Sequence, residues 1–376
     1  MRYLFFDTES ANRFNGISKM CSLGYVLTDE AFNIIESDDI IINPEARFDK
    51  AIIRDVLYYS ESYYIRGKTF PELYDRIVSL FEGSIIIGHA VDNDIEILND
   101  ACMRYELPYI SSKFYDTQLI YMWYKDLDDF GALPSLSNVA IDLKIENQDQ
   151  KHRSLQDARI TMQALKKICE CESCSIEYIL KRYSYIDGDN INGKMTLNRP
   201  VREDNNRIKR SNSKIYYSYI NNIKIANNKN SSLNGKEVAI SNSYEYTHFK
   251  EMLIIINKLA RMGAKYTTKS SECDIYAMYE HKDEDGNEAI SSRYKAVKRA
   301  NERGAGIKTI ELNELKSLIG YEEDSYDSIL EEATDIYNKE FENNLRRERE
   351  LIKPIEAEAY SLGGVFADFF NELKNK

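Results

Sequence analysis

The first ten residues contain the feature that most constrains the fold, an apolar run that ends in two acidic residues. The run Arg2 to Phe6 is followed directly by Asp7-Thr8-Glu9. A short apolar run of this kind predicts a central strand of a sheet, with the acids at its end. Because alternate side chains of a strand point to the same face, Asp7 and Glu9 would converge on one pair of ions. Acids follow apolar strands on many protein surfaces, so this pair needs support from elsewhere in the chain.

Strands and helices alternate through the first 170 or so residues, after an opening meander. Short apolar runs predict the strands, and 3.6-residue periodicity predicts the helices. In chain order these are strands over Arg2 to Phe6, Cys21 to Leu27 and Phe32 to Asn43, a helix over Pro71 to Phe81, a strand over Ser84 to Ile87, a helix over Asp94 to Tyr105, and a short strand near Phe114 followed by a helix. This order predicts an α/β fold with a mixed five-stranded sheet and flanking helices.

The chain is too long for one ordinary core, so we expect two compact domains with connecting segments. The first domain is predicted over 1–172, and a helix end with a polar, partly basic linker over 173–232. A second, small α/β domain is predicted over 233–320, and an acidic amphipathic helical tail over 321–376. The basic stretch from Arg199 to Lys214 is interpreted as a solvated linker, with a nucleic-acid-binding arm as the alternative.

Charge and hydropathy exclude some classes of function. The net charge of −12 argues against a protein that coats nucleic acid through a broad basic surface, although an acidic metal-binding pocket fits it. No apolar run approaches the roughly 20 residues that cross a bilayer, and no signal-peptide pattern is present. We therefore expect a cytoplasmic protein with no membrane partner. The six cysteines form no regular framework and are expected to be thiols, since the cluster Cys169, Cys171 and Cys174 lacks the second ligand pair of a structural zinc site.

Two further acids lie in contexts that match the first pair. Asp94 follows a predicted strand and the turn at Gly88-His89, at the start of a helix, where its carboxylate can point back at the sheet edge. His152 lies five residues ahead of Asp157, which is near the start of another predicted helix. Asp157 would face the sheet, and His152 would lie on the preceding loop. With an unperturbed pKa of about 6.5, a histidine there can take a proton from an attacking water.

In order, spacing and context these motifs resemble the DEDDh group of 3′–5′ exonucleases, the family of the proofreading subunit of bacterial DNA polymerase III. The matching segments are Phe6-Asp7-Thr8-Glu9, Gly88-His89 with Asp94, and His152-Arg153-Ser154-Leu155-Gln156-Asp157-Ala158. Tyr115-Asp116-Thr117 and Leu136-Ser137-Asn138-Val139-Ala140 are also similar to segments of this family. The resemblance covers about the first 170 residues and implies a ribonuclease H-like fold.

The resemblance implies roles for individual residues. Two Mg²⁺ or Mn²⁺ ions would be held by Asp7, Glu9, Asp94 and Asp157, and His152 would be the general base. The backbone near Thr8 and Glu9 would contact the terminal nucleotide. His89 would be either a substrate contact or a packing or orienting residue. The implied activity releases nucleoside 5′-monophosphates from a single-stranded or frayed 3′ end of DNA.

The second motif departs from the family pattern at two positions. The family usually has Asn after the Gly-His pair and Phe before the second Asp, whereas Ala90 and Asn93 stand here. Asp92 competes with Asp94 as the acid of this motif, and spacing favours Asp94. These departures leave the metal ligands in place and bear on how a nucleotide is positioned. Two alternatives stay open: an exoribonuclease of the same family, because the same carboxylate chemistry serves RNA, and a non-catalytic scaffold.

The second predicted domain resembles a BRCT domain. Leu233 to Ile240 is similar to its opening strand, Gly263-Ala264-Lys265 to its second strand, and Lys295 to Ile310 to its second helix and last strand, although the late tryptophan of that family is absent. The resemblance implies a partner at DNA ends or among replication or repair proteins. Some BRCT domains bind phosphate through a Ser or Thr and a Lys, for which the counterparts here are Ser241 with Lys295 or Lys298; ordinary surface residues are the alternative.

Overall fold

The computed structural model describes residues 1–127, 133–146, 153–182, 186–198, 210–279, 291–323 and 326–374, with backbone only for 210–212 and 353–374. The chain divides into two compact units. Unit 1 comprises Met1–Arg202 and Leu345–Lys376, and unit 2 comprises Glu203–Asn344. Within the described ranges, no helix combines the length and the apolar character needed to span a membrane. All six cysteines are free thiols.

Unit 1 is built on one mixed sheet. Its described strands are β1 (Arg2–Ser10), β2 (Met20–Thr28), β3 (Ile34–Asn43), β4 (Lys68–Thr69), β5 (Ser84–Gly88), β6 (Ser112–Asp116), β7 (Asp187–Ile191) and β8 (Lys194–Leu197), in the spatial order β4-β3-β2-β1-β5-β6-β7-β8. The central strand β1 pairs antiparallel with β2 and parallel with β5. The mixed sheet is therefore confirmed, and the five predicted strands form its centre.

The sheet extends further than the predicted five strands. The two-residue strand β4 is too short to leave a sequence pattern, and β7 and β8 lie in the segment predicted as a linker. β7 pairs antiparallel with β6. Its Asn190 is fully buried, donates to the carbonyl of Ile110 at 2.9 Å and exchanges amide hydrogen bonds with Asn99. Hydrogen bonds of a buried polar side chain thus hold β7 in the sheet, whereas the central strands are held by the burial of apolar side chains.

Helices cover both faces of the sheet. They are α1 (Lys50–Asp55), α2 (Glu61–Ile65), α3 (Phe70–Phe81), α4 (Asp92–Arg104), α5 (Thr117–Tyr124), α6 (Leu136–Asp142), α7 (Ser154–Cys171) and α8 (Ile176–Arg182), with a 3₁₀ turn at Phe14–Gly16. Leu4 and Phe6 pack in the core that contains α3 and α4, whereas Tyr3 and Phe5 pack in the core that contains α5 and α7. The same alternation places Asp7 and Glu9 on the α7 face of β1.

Unit 2 has a parallel sheet of four strands among the described residues, in the order β10-β9-β11-β12. These are β9 (Glu237–Ile240), β10 (Lys265–Tyr266), β11 (Ile275–Met278) and β12 (Lys308–Glu311), with helices α9 (Arg210–Asn222), α10 (Asn242–Thr247), α11 (Phe249–Arg261), α12 (Ser292–Glu302), α13 (Leu312–Leu318) and α14 (Tyr326–Lys374). The short helix α10 directly precedes α11, and His248 separates the two. Helix α14 ends at Lys374 and lies within the tail predicted as helical over 321–376.

A buried ion pair lies inside unit 2. The Glu245 side chain is fully buried and pairs with the guanidinium of Arg293, which is 12% exposed. The hydroxyl of Tyr216 donates to Glu245 at 2.9 Å, and Arg293 donates to the carbonyl of Ile240 at 2.9 Å. The acid and the base thus form an ion pair away from water, next to hydrogen bonds with Tyr216 and Ile240.

Candidate active site

Three carboxylates predicted to act together meet at one end of the unit 1 sheet. Asp7, Glu9 and Asp157 each offer an oxygen atom, and these oxygens all lie within 4.8 Å of one another. Asp7 and Glu9 come from β1, and Asp157 comes from the first turn of α7. In the described part of the chain this is the only group of three or more His, Cys, Asp or Glu side chains with such spacing.

Gly24 of β2 allows the N-terminus of α7 to pack closely on the sheet, so that Asp157 lies near Asp7 and Glu9 of β1. It pairs with Asp7 in the register of β1 and β2. A Cβ atom at Gly24 would lie 1.9 Å from the backbone nitrogen of Leu155 and 2.0 Å from the carbonyl carbon of Ser154. Since no side chain fits there, a glycine is required for the N-terminus of α7 to rest on β2. The hydroxyl of Ser154 lies 2.8 Å from Asp39 Oδ1, which helps to hold the first turn in place.

Asp94 approaches β1 from the opposite face of the sheet. It is 5% exposed, and its Oδ1 accepts hydrogen bonds from the backbone N–H and the hydroxyl of Thr8, both at 2.8 Å. Asp94 is not part of the three-carboxylate group, yet its charge is the strongest charge effect on the pKa of Asp7. Asp94 and Asp92 were the two candidates for the acid of the second motif. Asp94 is the one that contacts β1, through Thr8.

Electrostatics in the site favour a bound cation. Burial raises the pKa of Asp7 well above its ordinary value, and the neighbouring Asp94, Glu9 and Asp157 raise it further. Burial also raises the pKa of Asp94 to about 7, although its hydrogen bonds from Thr8 act in the opposite direction. Buried carboxylates of like charge resist joint ionisation unless positive charge is supplied. Carboxylate oxygens are the ligands that Mg²⁺ and Mn²⁺ prefer, so these residues fit the predicted ions.

Two predicted substrate contacts are engaged in hydrogen bonds within the protein. The backbone N–H and hydroxyl of Thr8 both donate to Asp94, so the structure assigns Thr8 to the orientation of that acid. The ring nitrogens of His89 lie 3.2 Å from Thr117 Oγ1 and 3.1 Å from the carbonyl oxygen of Pro134, and burial lowers the His89 pKa to about 4. Of the two roles considered for His89, the geometry favours the orienting one. His152 lies outside the described residues.

Ala90, one of the two departures from the family pattern, has an unusual backbone conformation. Ala90 has a φ of 55°, in the left-handed region that Asn tolerates better than Ala. Its N–H donates to Asp116 Oδ1 at 2.9 Å, and the same oxygen accepts from the backbone N–H of Gln118. Asp116 is thus the N-cap residue of α5. A residue that adopts this conformation is needed between β5 and the helix that carries Asp94.

Sequence reasoning missed Asp39, which connects the site to its surroundings. Asp39 lies on β3 opposite Gly24, and its carboxylate accepts from Tyr59 at 3.1 Å and from Arg153 at 3.2 Å, besides the Ser154 contact. Three acids occur within four residues of β3, and nothing in their spacing singles out Asp39. The one indication in the sequence was its partner Arg153, which belongs to the third motif.

The proposed phosphate contacts in unit 2 do not form one exposed group. Ser241 is 1% exposed, and its hydroxyl lies 2.9 Å from the Tyr276 hydroxyl and accepts from the backbone N–H of Tyr279 at 3.0 Å. Lys295 and Lys298 are exposed on α12, with the Lys298 ammonium 4.9 Å from the ring centre of Tyr294. Ser241 therefore has a structural role here, whereas the two lysines remain accessible.

Sequence comparison finds similarity between unit 1 and known exonucleases. Residues 4–165 match the model of the family described as Exonuclease (RNase_T). Over 100 residues the chain is 34% identical to RNA exonuclease 4 of Saccharomyces cerevisiae (strain ATCC 204508 / S288c), which amounts to 26% of this chain and 32% of that protein. The matched region thus spans about a third of this curated relative.

Similar solved structures include three exonucleases, one of which is described as a DEDDh family member. One, described as 3′-end specific recognition of histone mRNA stem-loop by 3′-exonuclease, has a TM-score of 0.42 and 14% identity and covers 52% of this chain and 89% of its own. The nuclease domain of 3′hExo, a DEDDh family member bound to rAMP, has a TM-score of 0.39 and 14% identity, with coverages of 46% and 93%. E. coli Exonuclease I with a dT13 oligonucleotide has a TM-score of 0.37 and 18% identity, with coverages of 45% and 41%.

The family match lies within unit 1 and covers less than half of the chain. Residues 4–165 are similar to exonuclease domains of the RNase_T family. The matched range contains all five residues predicted to carry the chemistry.

Proposed function

We propose that unit 1 is a metal-dependent 3′–5′ exonuclease that releases nucleoside 5′-monophosphates from a nucleic acid strand. The observation that carries this proposal is the meeting of Asp7, Glu9 and Asp157 within 4.8 Å, with Asp94 close enough to raise the pKa of Asp7. An acidic pocket of this kind is suited to hold two divalent ions, Mg²⁺ or Mn²⁺.

The residues of the chain divide the work. Asp7, Glu9, Asp94 and Asp157 would hold the ions, which when bound neutralise the attacking and leaving oxygens of the phosphodiester. Thr8 orients Asp94 through its two hydrogen bonds. His152 would take the proton from the attacking water, for which an imidazole is suited at neutral pH.

DNA is the substrate that we propose, because the strand and helix order of unit 2 agrees with the BRCT-like pattern, and BRCT-like domains accompany DNA metabolism. In this proposal unit 2 directs the enzyme to DNA ends or to a replication or repair protein. RNA is the second candidate, and the observation that favours it is the name of the relative RNA exonuclease 4. Degradation of matched DNA and RNA oligomers, side by side, would decide between them.

The test uses the full chain with single-stranded DNA carrying a label in its 3′-terminal nucleotide, in the presence of Mg²⁺. We expect release of labelled mononucleotide that EDTA abolishes and that Asp7→Ala reduces by about a thousandfold. A second DNA, labelled at its 5′ end, should shorten stepwise and yield no early labelled mononucleotide. If the wild type releases nothing, and calorimetry detects no Mn²⁺ binding, unit 1 is a non-catalytic scaffold.

A further inference from the structure

We propose that three tyrosines beside the carboxylate site form a stacking surface for the bases of single-stranded nucleic acid. We call Tyr58, Tyr59 and Tyr63 the tyrosine platform. The inference rests on the proposed exonuclease function and deepens it, because it specifies a strand with unpaired bases. Its occupant would be the nucleotides that precede the terminal one.

The rings of the tyrosine platform contact one another. Tyr59 and Tyr63 are stacked, with ring centres 4.4 Å apart and planes inclined by 19°, and Tyr58 meets Tyr59 edge to face at 4.9 Å. Beneath them Tyr64 is 1% exposed and packs on Phe48 at 5.6 Å. This buried pair belongs to a small core of its own and gives the platform a rigid base.

The outer rings of the platform remain open to solvent. Tyr58 is 42% exposed and Tyr63 is 47% exposed. Exposing adjoining aromatic rings forgoes the free energy of burying them, which is considerable for side chains of this size. Ring faces are the surfaces on which unpaired bases stack, and the interaction tolerates any sequence because every base has such a face.

Arg153 gives the platform a cationic component. Its guanidinium carbon lies 5.2 Å from the ring centre of Tyr58 and 5.5 Å from that of Tyr59. Its side chain is 32% exposed and pairs with Asp39 at 3.2 Å. A planar cation next to aromatic rings is suited to a polyanion whose bases stack. Paired bases of a duplex offer no such faces, so the platform favours a single strand.

The platform lies a few nucleotides from the carboxylate site. Tyr59 and Arg153 both contact Asp39, which faces Gly24, and Gly24 faces Asp7. Neighbouring strands are about 4.8 Å apart, so two spacings separate Asp39 from Asp7 by about 10 Å. Stacked nucleotides rise by about 3.4 Å each. Asp39, which Tyr59 and Arg153 contact, therefore lies about three stacked nucleotides from Asp7.

The experiment compares Tyr58→Ala and Tyr63→Ala with the wild type on two substrates in the full chain. One is single-stranded DNA of ten nucleotides, and the other is the p-nitrophenyl ester of thymidine 5′-monophosphate, which has no neighbouring base. We expect each variant to raise KM for the DNA about tenfold, with a much smaller effect on kcat and on the ester. Tyr63→Phe should restore the DNA KM, since stacking needs the ring and not the hydroxyl.

The matched control is Tyr178→Ala, which removes another exposed tyrosine of unit 1, at 55% exposure on α8. It should leave the DNA KM within twofold of the wild type. DNA that lacks bases at its second to fourth nucleotides from the 3′ end should show the weak binding of Tyr63→Ala with the wild-type enzyme. Equal losses on ester and DNA, or no loss on DNA, would overturn the platform.

Binding separates this inference from the proposed function. If the wild type cleaves neither substrate, the exonuclease proposal fails, and fluorescence anisotropy with labelled single-stranded DNA then tests the platform alone. Weaker binding by Tyr58→Ala and Tyr63→Ala than by Tyr178→Ala supports it. Equal affinities for all of these variants refute it.

Discussion

Asp7 of unit 1 is a half-buried carboxylate and Glu245 of unit 2 is a fully buried one, and the charges around them are of opposite sign. The charges that act most strongly on Asp7 are the carboxylates Asp94, Glu9 and Asp157, and all of them raise its pKa. Glu245 instead pairs with Arg293 and accepts from Tyr216. The comparison separates a buried acid that is paired with a base from half-buried acids that lie close to one another. Burying like charges together opposes folding, and a divalent cation would offset that cost.

The largest effect that we predict on stability concerns the Glu245 ion pair. Glu245→Gln should lower the free energy of unfolding of unit 2 by about 3–5 kcal/mol, because Arg293 would remain buried without its counter-charge. Urea unfolding of the full chain followed by circular dichroism measures it. The control is Glu237→Gln, which removes an exposed pair with Lys265 and should cost less than about 1 kcal/mol. If Glu245→Gln and Glu237→Gln lowered the free energy of unfolding equally, the buried ion pair would contribute no more than an exposed one. Glu245 would then lose the structural role that distinguishes it from Asp7.

Gly24→Ala tests whether the approach of α7 creates the acidic group. The new methyl would meet the backbone of Ser154 and Leu155, so the helix must shift, at a cost of about 1–3 kcal/mol. A displacement of Asp157 by about 1 Å should lower nuclease activity by about a hundredfold. Stability and mononucleotide release are measured on the same preparation. An active Gly24→Ala enzyme would show that Asp157 need not be held by this contact.

The pH dependence of the metal-free protein tests the effect of burial on Asp94. Between pH 3.8, the ordinary pKa of Asp94, and pH 7, its value here, the folded state holds a proton that the unfolded state has lost. Stability must therefore fall as pH rises through this window, by at most about 1.4 kcal/mol per pH unit for this group. In EDTA, the free energy of unfolding of the wild type should fall relative to that of Asp94→Asn as the pH rises from 3.8 to about 7. Added Mg²⁺ should reverse the trend at pH 7, and a flat difference would contradict the assignment.

The smallest effect concerns Ala90. Its φ of 55° is unfavourable for alanine, so Ala90→Asn should raise the free energy of unfolding by about 0.5–1 kcal/mol. Urea unfolding in EDTA checks it without the contribution of the ions. Ala51→Asn, on an exposed position of α1, is the control and should bring no gain. An unchanged stability for Ala90→Asn would mean that the surroundings impose no cost there.

The sequence predicted the apolar elements and much less of the polar ones. The strand over Arg2 to Phe6 and the helix over Pro71 to Phe81 left clear periodic patterns, because each buries an apolar face. The hairpin of β7 and β8 has polar strands, and its Asn190 is buried through hydrogen bonds rather than apolar contacts. Asn192-Gly193 between its strands is the turn pair typical of a tight hairpin and was the signal available.

For the site, the sequence identified residue types, whereas contacts between distant segments required the structure. Asp7, Glu9 and Asp157 were predicted to converge, and their oxygens lie together. The roles of Gly24 and Asp39 were not predicted, because each depends on which strand lies beneath α7. Strand pairing of that kind is set by the whole fold and leaves no local pattern.

The hairpin of β7 and β8 has a practical consequence for anyone who expresses unit 1 alone. A fragment that stops at residue 172, the boundary suggested by sequence, would leave β6 as an unprotected edge with unpaired backbone groups. Such an edge invites intermolecular pairing and precipitation. Fragments extended through Leu197 would keep that edge covered.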